Sequence, residues 1–341
     1  MTTNRRPAQQ GLPNRTRRAT VLALAGAPLA AAGPARAADN WQAYTFWGSP
    51  TVAAARGFRK IVTDMEEASG GELKIKFNLG GTLSINAANI ASSISDDVIQ
   101  LADDSFYAGA IPVAALATLP FLTNSVDEVH KVMTVVRPIA ERDYGKRAIL
   151  VLGYYVYPPQ VFWFRGNITS LDQVKGRKLR VSTAEQGDFL KRIGATPVQV
   201  TSAEVPAALE RGIVDGVLTA SAGGILAWKD LLKSSYQLGV NYHVSYIVAN
   251  AARFQKLPAD MQAKLRALVN KNCTELSAEL QRDDVELRQK FAADGMQMTA
   301  ATDKDRAAAA ALAKTTADEW AKSRGPEAVD SLAKARALLG R

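Results

Sequence analysis

The stretch GRKLRVSTAEQGDFLKRIGATPVQV, residues 176–200, holds the side chain with the strongest claim to chemistry. From Lys178 to Val181 charged and apolar residues alternate, which is the period of a half-buried strand. Leu179 and Val181 would face a core, and Lys178 and Arg180 the opposite side. A helical stripe of Phe189, Leu190 and Ile193 follows, and GATPVQV starts another strand. In open α/β sheets, ligands bind outside the carboxyl ends of the strands. Arg180, near such an end, is therefore either a surface charge or the grip for an anion.

Other reactive residue types are sparse. Asp96-Asp97 and Asp103-Asp104 could serve as acid–base carboxylates, although adjacent acids are more often solvated. The two histidines, His130 and His243, cannot build a multi-histidine metal site. His130 sits in the charged run DEVHK and is expected to be solvated; His243 could face a cleft, but a hydrogen-bonded structural role is the expectation. Cys273 lies among Leu265, Leu268, Val269, Leu276 and Leu280 at helical spacing, as a small buried hydrophobe would. A single cysteine also excludes an intramolecular disulfide. No H-E-x-x-H, P-loop or G-x-S-x-G pattern occurs. No catalytic residue, metal or cofactor is assigned, and an enzyme is not expected.

The elements that must position Arg180 read as alternating strands and helices. NWQAYTFW, ELKIKFNL, DVIQLADDSF, AILVLGYYV and QVFWF read as strands, and AAARGFRKIVTDMEEAS and SVDEVHKVMTVVRPIAERDYGKR as helices. This rhythm predicts an α/β fold with a mostly parallel sheet and helices on both faces. Thr201 and Glu204 form a capping-box pattern, but Pro206 delays the helix that follows. IVDGVLTA reads as a buried parallel strand. From Leu257-Pro258 the pattern is helical for nearly forty residues, and two more helices close the chain. Pro158-Pro159 marks a candidate crossing between lobes.

The 341 residues, 47% hydrophobic and 22% charged, suffice for two lobes with ample cores. The net charge of +9 suggests nucleic acid until its distribution is read. Six of the 42 basic residues and none of the 33 acidic ones lie in the first 37 positions, so the remainder carries +3. Without a basic stripe, nucleic acid is excluded as a partner. The same 37 residues read as a signal peptide. A basic region ends at Arg17-Arg18, an apolar stretch follows, and Ala35-Arg36-Ala37 has the small-x-small pattern of a cleavage site. Arg17-Arg18 also resembles a twin-arginine signal, so Sec and twin-arginine export both stay open. The mature chain is expected to begin at Ala38 and to be soluble and periplasmic.

One long run carries more than composition. Asp172, Gly176, Lys178, Arg180, Val181, Gly194-Ala195, Pro197-Val198, Glu204-Val205, Ala208-Leu209, Gly212, Val214, Asp215 and Gly216 follow a D-x-x-G-x-K-x-R-V, G-A-x-P-V, E-V-x-x-A-L-x-x-G-x-V-D-G pattern. This resembles the signature of the DctP-like solute-binding proteins of TRAP-type (tripartite ATP-independent periplasmic) transporters. ATLPFLTNSVDEVHK and LPADMQAKL resemble further segments of that family. The resemblance implies a two-lobe periplasmic binding protein fold with a ligand cleft, crossing strands and a long C-terminal helix. The implied division is 38–157 plus 246–285 for lobe I, and 158–245 plus 286–341 for lobe II and the C-terminal helices. It also implies a monomer that delivers an organic acid to membrane permease subunits. A ligand sensor for a membrane receptor, or an enzyme on the same scaffold, are the alternatives.

In that family the arginine of K-x-R-V pairs with a ligand carboxylate, which assigns the role to Arg180 and answers to the fork geometry of a guanidinium. Two positions depart from the pattern. Gln160 stands where many members have a second arginine, and Thr219 where many have an asparagine. Loss of the second positive charge, with Phe162, Trp163 and Phe164 nearby, argues against dicarboxylates and sialic acid. It favours a monocarboxylate with an apolar or aromatic body. Phe162, Trp47, Ser105, Phe106, Thr183 and Ser202 are the remaining expected cleft contacts.

Overall fold

The computed structural model describes residues 39–341. The expected signal peptide and its cleavage site lie outside the described residues. Eleven strands are formed among the described residues: β1 Asp39–Thr45, β2 Leu73–Asn78, β3 Leu101–Asp104, β4 Ile149–Val156, β5 Gln160–Phe164, β6 Lys178–Val181, β7 Thr196–Gln199, β8 Gly216–Thr219, β9 Ser234–Asn241, β10 Val244–Asn250 and β11 Gln297–Ala300. The helices are α1 Ala53–Ala68, α2 Ile90–Ser95, α3 Val126–Gly145, α4 Ala184–Arg192, α5 Val205–Glu210, α6 Leu226–Trp228, α7 Ala251–Gln255, α8 Ala259–Ala293, α9 Asp303–Arg324 and α10 Pro326–Leu338.

The strands form two sheets, ordered β2-β1-β3-β10-β4 and β11-β9-β5-β8-β6-β7. The expected mostly parallel sheet is in fact two sheets, and in each of them a single strand near the middle runs against the others. β10 runs antiparallel to β3 and β4, and β5 antiparallel to β8 and β9. The reason lies in two short connections. β4 passes to β5 through residues 157–159, and β9 passes back to β10 through Tyr242 and His243. Each connection passes to the other sheet, so β4 leaves the first sheet where β10 re-enters it and β5 enters the second where β9 leaves it, which sets each of these pairs antiparallel. The return falls at Tyr242-His243, two residues before the implied lobe boundary at 246, so Val244 and Ser245 already belong to the first sheet.

Helices cover both faces of each sheet, as the buried strands require. The α1 stripe of Phe58, Ile61, Val62 and Met65 is almost fully buried on the first sheet with Leu265, Val269 and Leu276 of α8. Each such side chain contributes about 1.5–3 kcal/mol of transfer free energy. Cys273 packs in the same cluster, and burial pushes its thiol above the ordinary range.

Two helices join the lobes. The early turns of α8 pack in the first-lobe core, whereas its Phe291 packs with Trp163 and Val217 of the second. Ala309 and Ala313 of α9 lie in the second-lobe core, and Ala317, Trp320 and Ala321 in the first. Residues 286–341, expected with lobe II, are therefore divided. α10 buries Ala328, Leu332 and Ala335 against the first-lobe cluster, because its apolar stripe meets α3 there.

Pro206 sits in the first turn of α5, so the helix starts at Val205 rather than after Thr201. Glu204 still accepts hydrogen bonds from the Thr201 amide and hydroxyl, at 2.8 and 2.7 Å. His130 is half-buried rather than solvated, with its Nδ1 2.8 Å from the Tyr154 hydroxyl.

Candidate functional site

The ends of β1, β3, β6 and β8 and the two strand crossings converge on one partly open cleft. Phe46 and Trp47 follow β1, Ser105 and Phe106 follow β3, and Tyr157, Gln160 and His243 belong to the crossings. Arg180 and Ser182 come from β6 and its end, Thr219, Ala220 and Gly223 from the end of β8, and Ser202 from the loop after β7. This is where strand-end loops of an α/β protein place a ligand.

The aromatic side is fixed by its own contacts. Phe46 lies 4.8 Å from Trp47 and 5.2 Å, edge-on, from Phe106. The Trp47 indole N–H donates to the Tyr157 hydroxyl at 3.0 Å. Gly80 donates its amide to the Trp47 carbonyl at 2.9 Å. A Cβ at position 80 would fall 2.2 Å from the Phe46 carbonyl oxygen, so only glycine admits this approach.

Arg180 sits on the opposite wall. The strand alternation holds: Leu179 and Val181 enter the second-lobe core, and Arg180 turns the other way. It is nevertheless 2% exposed. Its Nε donates to the Val200 carbonyl at 3.0 Å, while one terminal nitrogen has no partner. None of the ion pairs among the described residues involves Arg180. Burial pushes its pKa down to about 10, which still leaves the guanidinium charged at neutral pH. A buried charge without a counter-charge is costly unless something compensates it. Arg180 is the one charged side chain among the described residues lining the cleft, because burial pushes His243 down to about 4 and keeps its ring neutral.

Of the residues expected from the sequence, Arg180, Gln160, Thr219, Trp47, Ser105, Phe106 and Ser202 come together in this cleft. Phe162 does not. It is fully buried in the second-lobe core, 6.0 Å from Phe164 in a stacked pair. The aromatic surface of the cleft comes from Phe46, Trp47, Phe106 and Tyr157 instead. Thr183 caps α4 by accepting the Gln186 amide at 3.2 Å and faces a neighbouring depression with Glu185 and Arg324. Sequence reasoning missed Phe46, Tyr157 and Ser182 and gave His243 a structural role. The signal for Ser182 was present, since it stands two residues beyond Arg180 and period-2 alternation puts both on one face.

The acids of β3 are buried, not solvated. Asp103 accepts from Tyr155 at 2.9 Å and from Thr45 at 3.1 Å. Asp104 accepts from Tyr144 at 2.7 Å and from the Phe106 amide at 3.1 Å. Burial pushes Asp104 up to about 7, with the Asp103 charge adding to the effect. A carboxyl whose folded pKa lies above its unfolded value near 4 holds its proton better in the folded state. Its contribution is fully present below about pH 4 and is lost as pH rises through about 7. Asp104→Asn, neutral throughout, is expected to gain stability relative to the native chain between pH 5 and pH 8. Urea unfolding of both proteins across that range checks this, and parallel pH curves would contradict it.

Two α/β lobes, joined by paired strand crossings around a cleft with one uncompensated buried cation, define a two-lobe ligand-binding protein. The chain belongs to the bacterial extracellular solute-binding proteins, family 7, whose family model matches residues 46–323. It is similar to the uncharacterized protein YiiZ of Salmonella typhimurium, 26% identical over 161 residues, or 45% of this chain and 48% of that protein. It is also similar to a solute-binding protein of a Sulfitobacter species, 24% identical over 220 residues, 62% of this chain and 66% of that one. The matched stretch thus spans about half the length of the first relative and about two thirds of the second.

Solved structures are matched almost whole. A Bordetella pertussis extracytoplasmic solute receptor binding pyroglutamic acid superposes with a TM-score of 0.81 at 24% identity, covering 88% of this chain and 100% of that one. A Rhodoferax ferrireducens TRAP periplasmic solute-binding protein with bound malonate gives 0.79 at 20% identity, covering 88% and 98%. Among the described residues, no helix is long and apolar enough to cross a membrane.

Proposed function

We propose that the protein is a periplasmic, monomeric receptor that captures an organic monocarboxylate and delivers it to a TRAP-type, ion-driven membrane permease. The observation that carries this reading is the Arg180 guanidinium, buried in the cleft without a counter-charge. A ligand carboxylate supplies the missing partner as a two-bond fork. One cation in the lining matches one carboxylate, and Gln160 and Thr219 contribute hydrogen bonds without further charge. Phe46, Trp47 and Phe106 suit an apolar or aromatic body. Family membership and relatives that bind pyroglutamic acid and malonate agree with a small carboxylate.

Native mass spectrometry of the freshly exported protein tests the proposal. The expected result is a bound small acid with one carboxylate, released on denaturation. Adding that acid back at a hundred times its Kd is expected to stabilise the protein by about 2.7 kcal/mol. A bound sugar, cation or base without a carboxylate would overturn it.

A further inference from the structure

The polar groups facing Arg180 across the cleft have their protons directed from behind. Asp103, fully buried, accepts from the hydroxyls of Tyr155, Thr45 and Ser245. Burial raises its pKa to about 6, so at pH 8 it is a carboxylate, which can only accept. All three hydroxyl protons therefore point at it. The Tyr155 oxygen, with its own proton committed, receives the proton of Tyr157 across 2.9 Å, and the Tyr157 oxygen, which already accepts from the Trp47 indole, keeps one lone pair. The Ser245 oxygen likewise receives the proton of Ser105 across 2.7 Å. His243 follows the same logic by another route. Its Nε2 lies 3.1 Å from the Ser105 carbonyl, which cannot donate, so Nε2 carries the hydrogen. In the neutral ring Nδ1 is then a bare lone pair, and it is buried without a partner.

We infer that Ser105, Tyr157 and His243 present acceptors to the cleft, so that the site selects carboxylates that also bear a hydrogen-bond donor, either a hydroxyl or an amide N–H. The inference rests on the carboxylate reading above and narrows it. Asp103 is a positioning residue: it does not line the cleft, yet it sets the polarity of a wall that does. A ligand with a carbonyl or ether oxygen at the same place sets oxygen against oxygen and leaves buried acceptors unpaired. That mismatch weakens binding by roughly tenfold to a hundredfold.

The test compares acids of equal shape and opposite polarity by calorimetry at pH 8. Pyroglutamate is set against the lactone in which oxygen replaces its N–H, and mandelate against phenylglyoxylate, in which a ketone replaces its hydroxyl. The donor-bearing member of each pair that binds is expected to bind at least tenfold more tightly. Equal or tighter binding of the lactone or keto acid overturns the inference. Arg180→Ala separates the two levels. If it spares binding, the carboxylate reading fails; if it removes binding while the paired acids bind alike, only the present inference fails. Tyr155→Phe, just behind the cleft lining, frees the Tyr157 proton to turn inward and is expected to narrow the preference severalfold; an unchanged ratio counts against the relay. Neutron diffraction from deuterium-exchanged crystals decides the matter even if none of the four acids binds. Deuterons on Tyr157 and Ser105 are expected to point to Tyr155 and Ser245, with Nδ1 of His243 bare. A deuteron pointing into the cleft from any of the three overturns the inference.

Discussion

Replacement of Arg180 by alanine is expected to weaken carboxylate binding by about thirty-fold to a few thousand-fold while leaving the ligand-free protein as stable as before, or more so. Truncating one partner of a buried charge pair typically costs about 2–5 kcal/mol in a complex, which gives that range of dissociation constants. The effect on the free protein has the opposite origin. There the guanidinium is 2% exposed and has the Val200 carbonyl as its hydrogen-bond partner. Its removal loses that bond and also abolishes the cost of keeping an uncompensated charge out of water. Arg180→Lys is expected to bind weakly as well, since an ammonium cannot reproduce the fork. Calorimetry and thermal melting of the two variants check this. If apo stability falls and affinity survives, Arg180 is a structural residue and the anion-grip assignment ends.

Arg180 was legible in the sequence because strand alternation is a local property, and four residues sufficed to assign it a side. The residues that follow strand ends were legible for a related reason: Trp47, Ser105 and Phe106 stand just past apolar runs whose ends could be read. Phe162 shows where that logic stops. It lies in a strand buried on both faces, so alternation carries no sign of which face meets a cleft and which a core. His243 and Tyr157 were illegible as a pair. They approach each other, ring centroids 5.9 Å apart, only because two chain crossings 86 residues apart lie side by side.

The fold divides along the same line. Individual strands and helices follow from periodicity, and α8 runs from Ala259 to Ala293 much as the uninterrupted helical pattern requires. The antiparallel members β5 and β10 are set by which sheet a strand joins after a two- or three-residue crossing, which no local pattern encodes. The return of α10 to the first lobe is decided by the direction in which α9 leaves the second. Buried acids were misread for a third reason. Adjacent aspartates look solvated until distant hydroxyls arrive, and Asp103 and Asp104 draw theirs from residues 40 to 142 positions away.

The second large effect is expected where α9 passes between the cores. Glu185, in the first turn of α4 and five residues beyond Arg180, has a side chain only 1% exposed. Its carboxylate accepts from Arg324 at 3.0 Å and from the Trp320 indole N–H at 3.1 Å. The Arg324 guanidinium also lies 4.7 Å from the centre of the Trp320 ring. Trp320 packs in the first-lobe core, so this cluster ties the helix that follows the Arg180 strand to the opposite lobe. Breaking a fully buried ion pair from one side strands the other charge at a cost of about 3–5 kcal/mol, and with the Arg324 side chain 26% exposed the lower end of that range applies. Arg324→Ala is therefore expected to destabilise the folded protein by about that amount in urea unfolding. Neutralising the stranded acid separates the causes. In the double variant Arg324→Ala with Glu185→Gln, the amide oxygen still accepts from Trp320 and no charge is left buried, so most of the loss is expected to be recovered. If the single variant lies within about 0.5 kcal/mol of the native protein, the range of an ordinary surface change, the pair is a solvated contact and does not hold the lobes together.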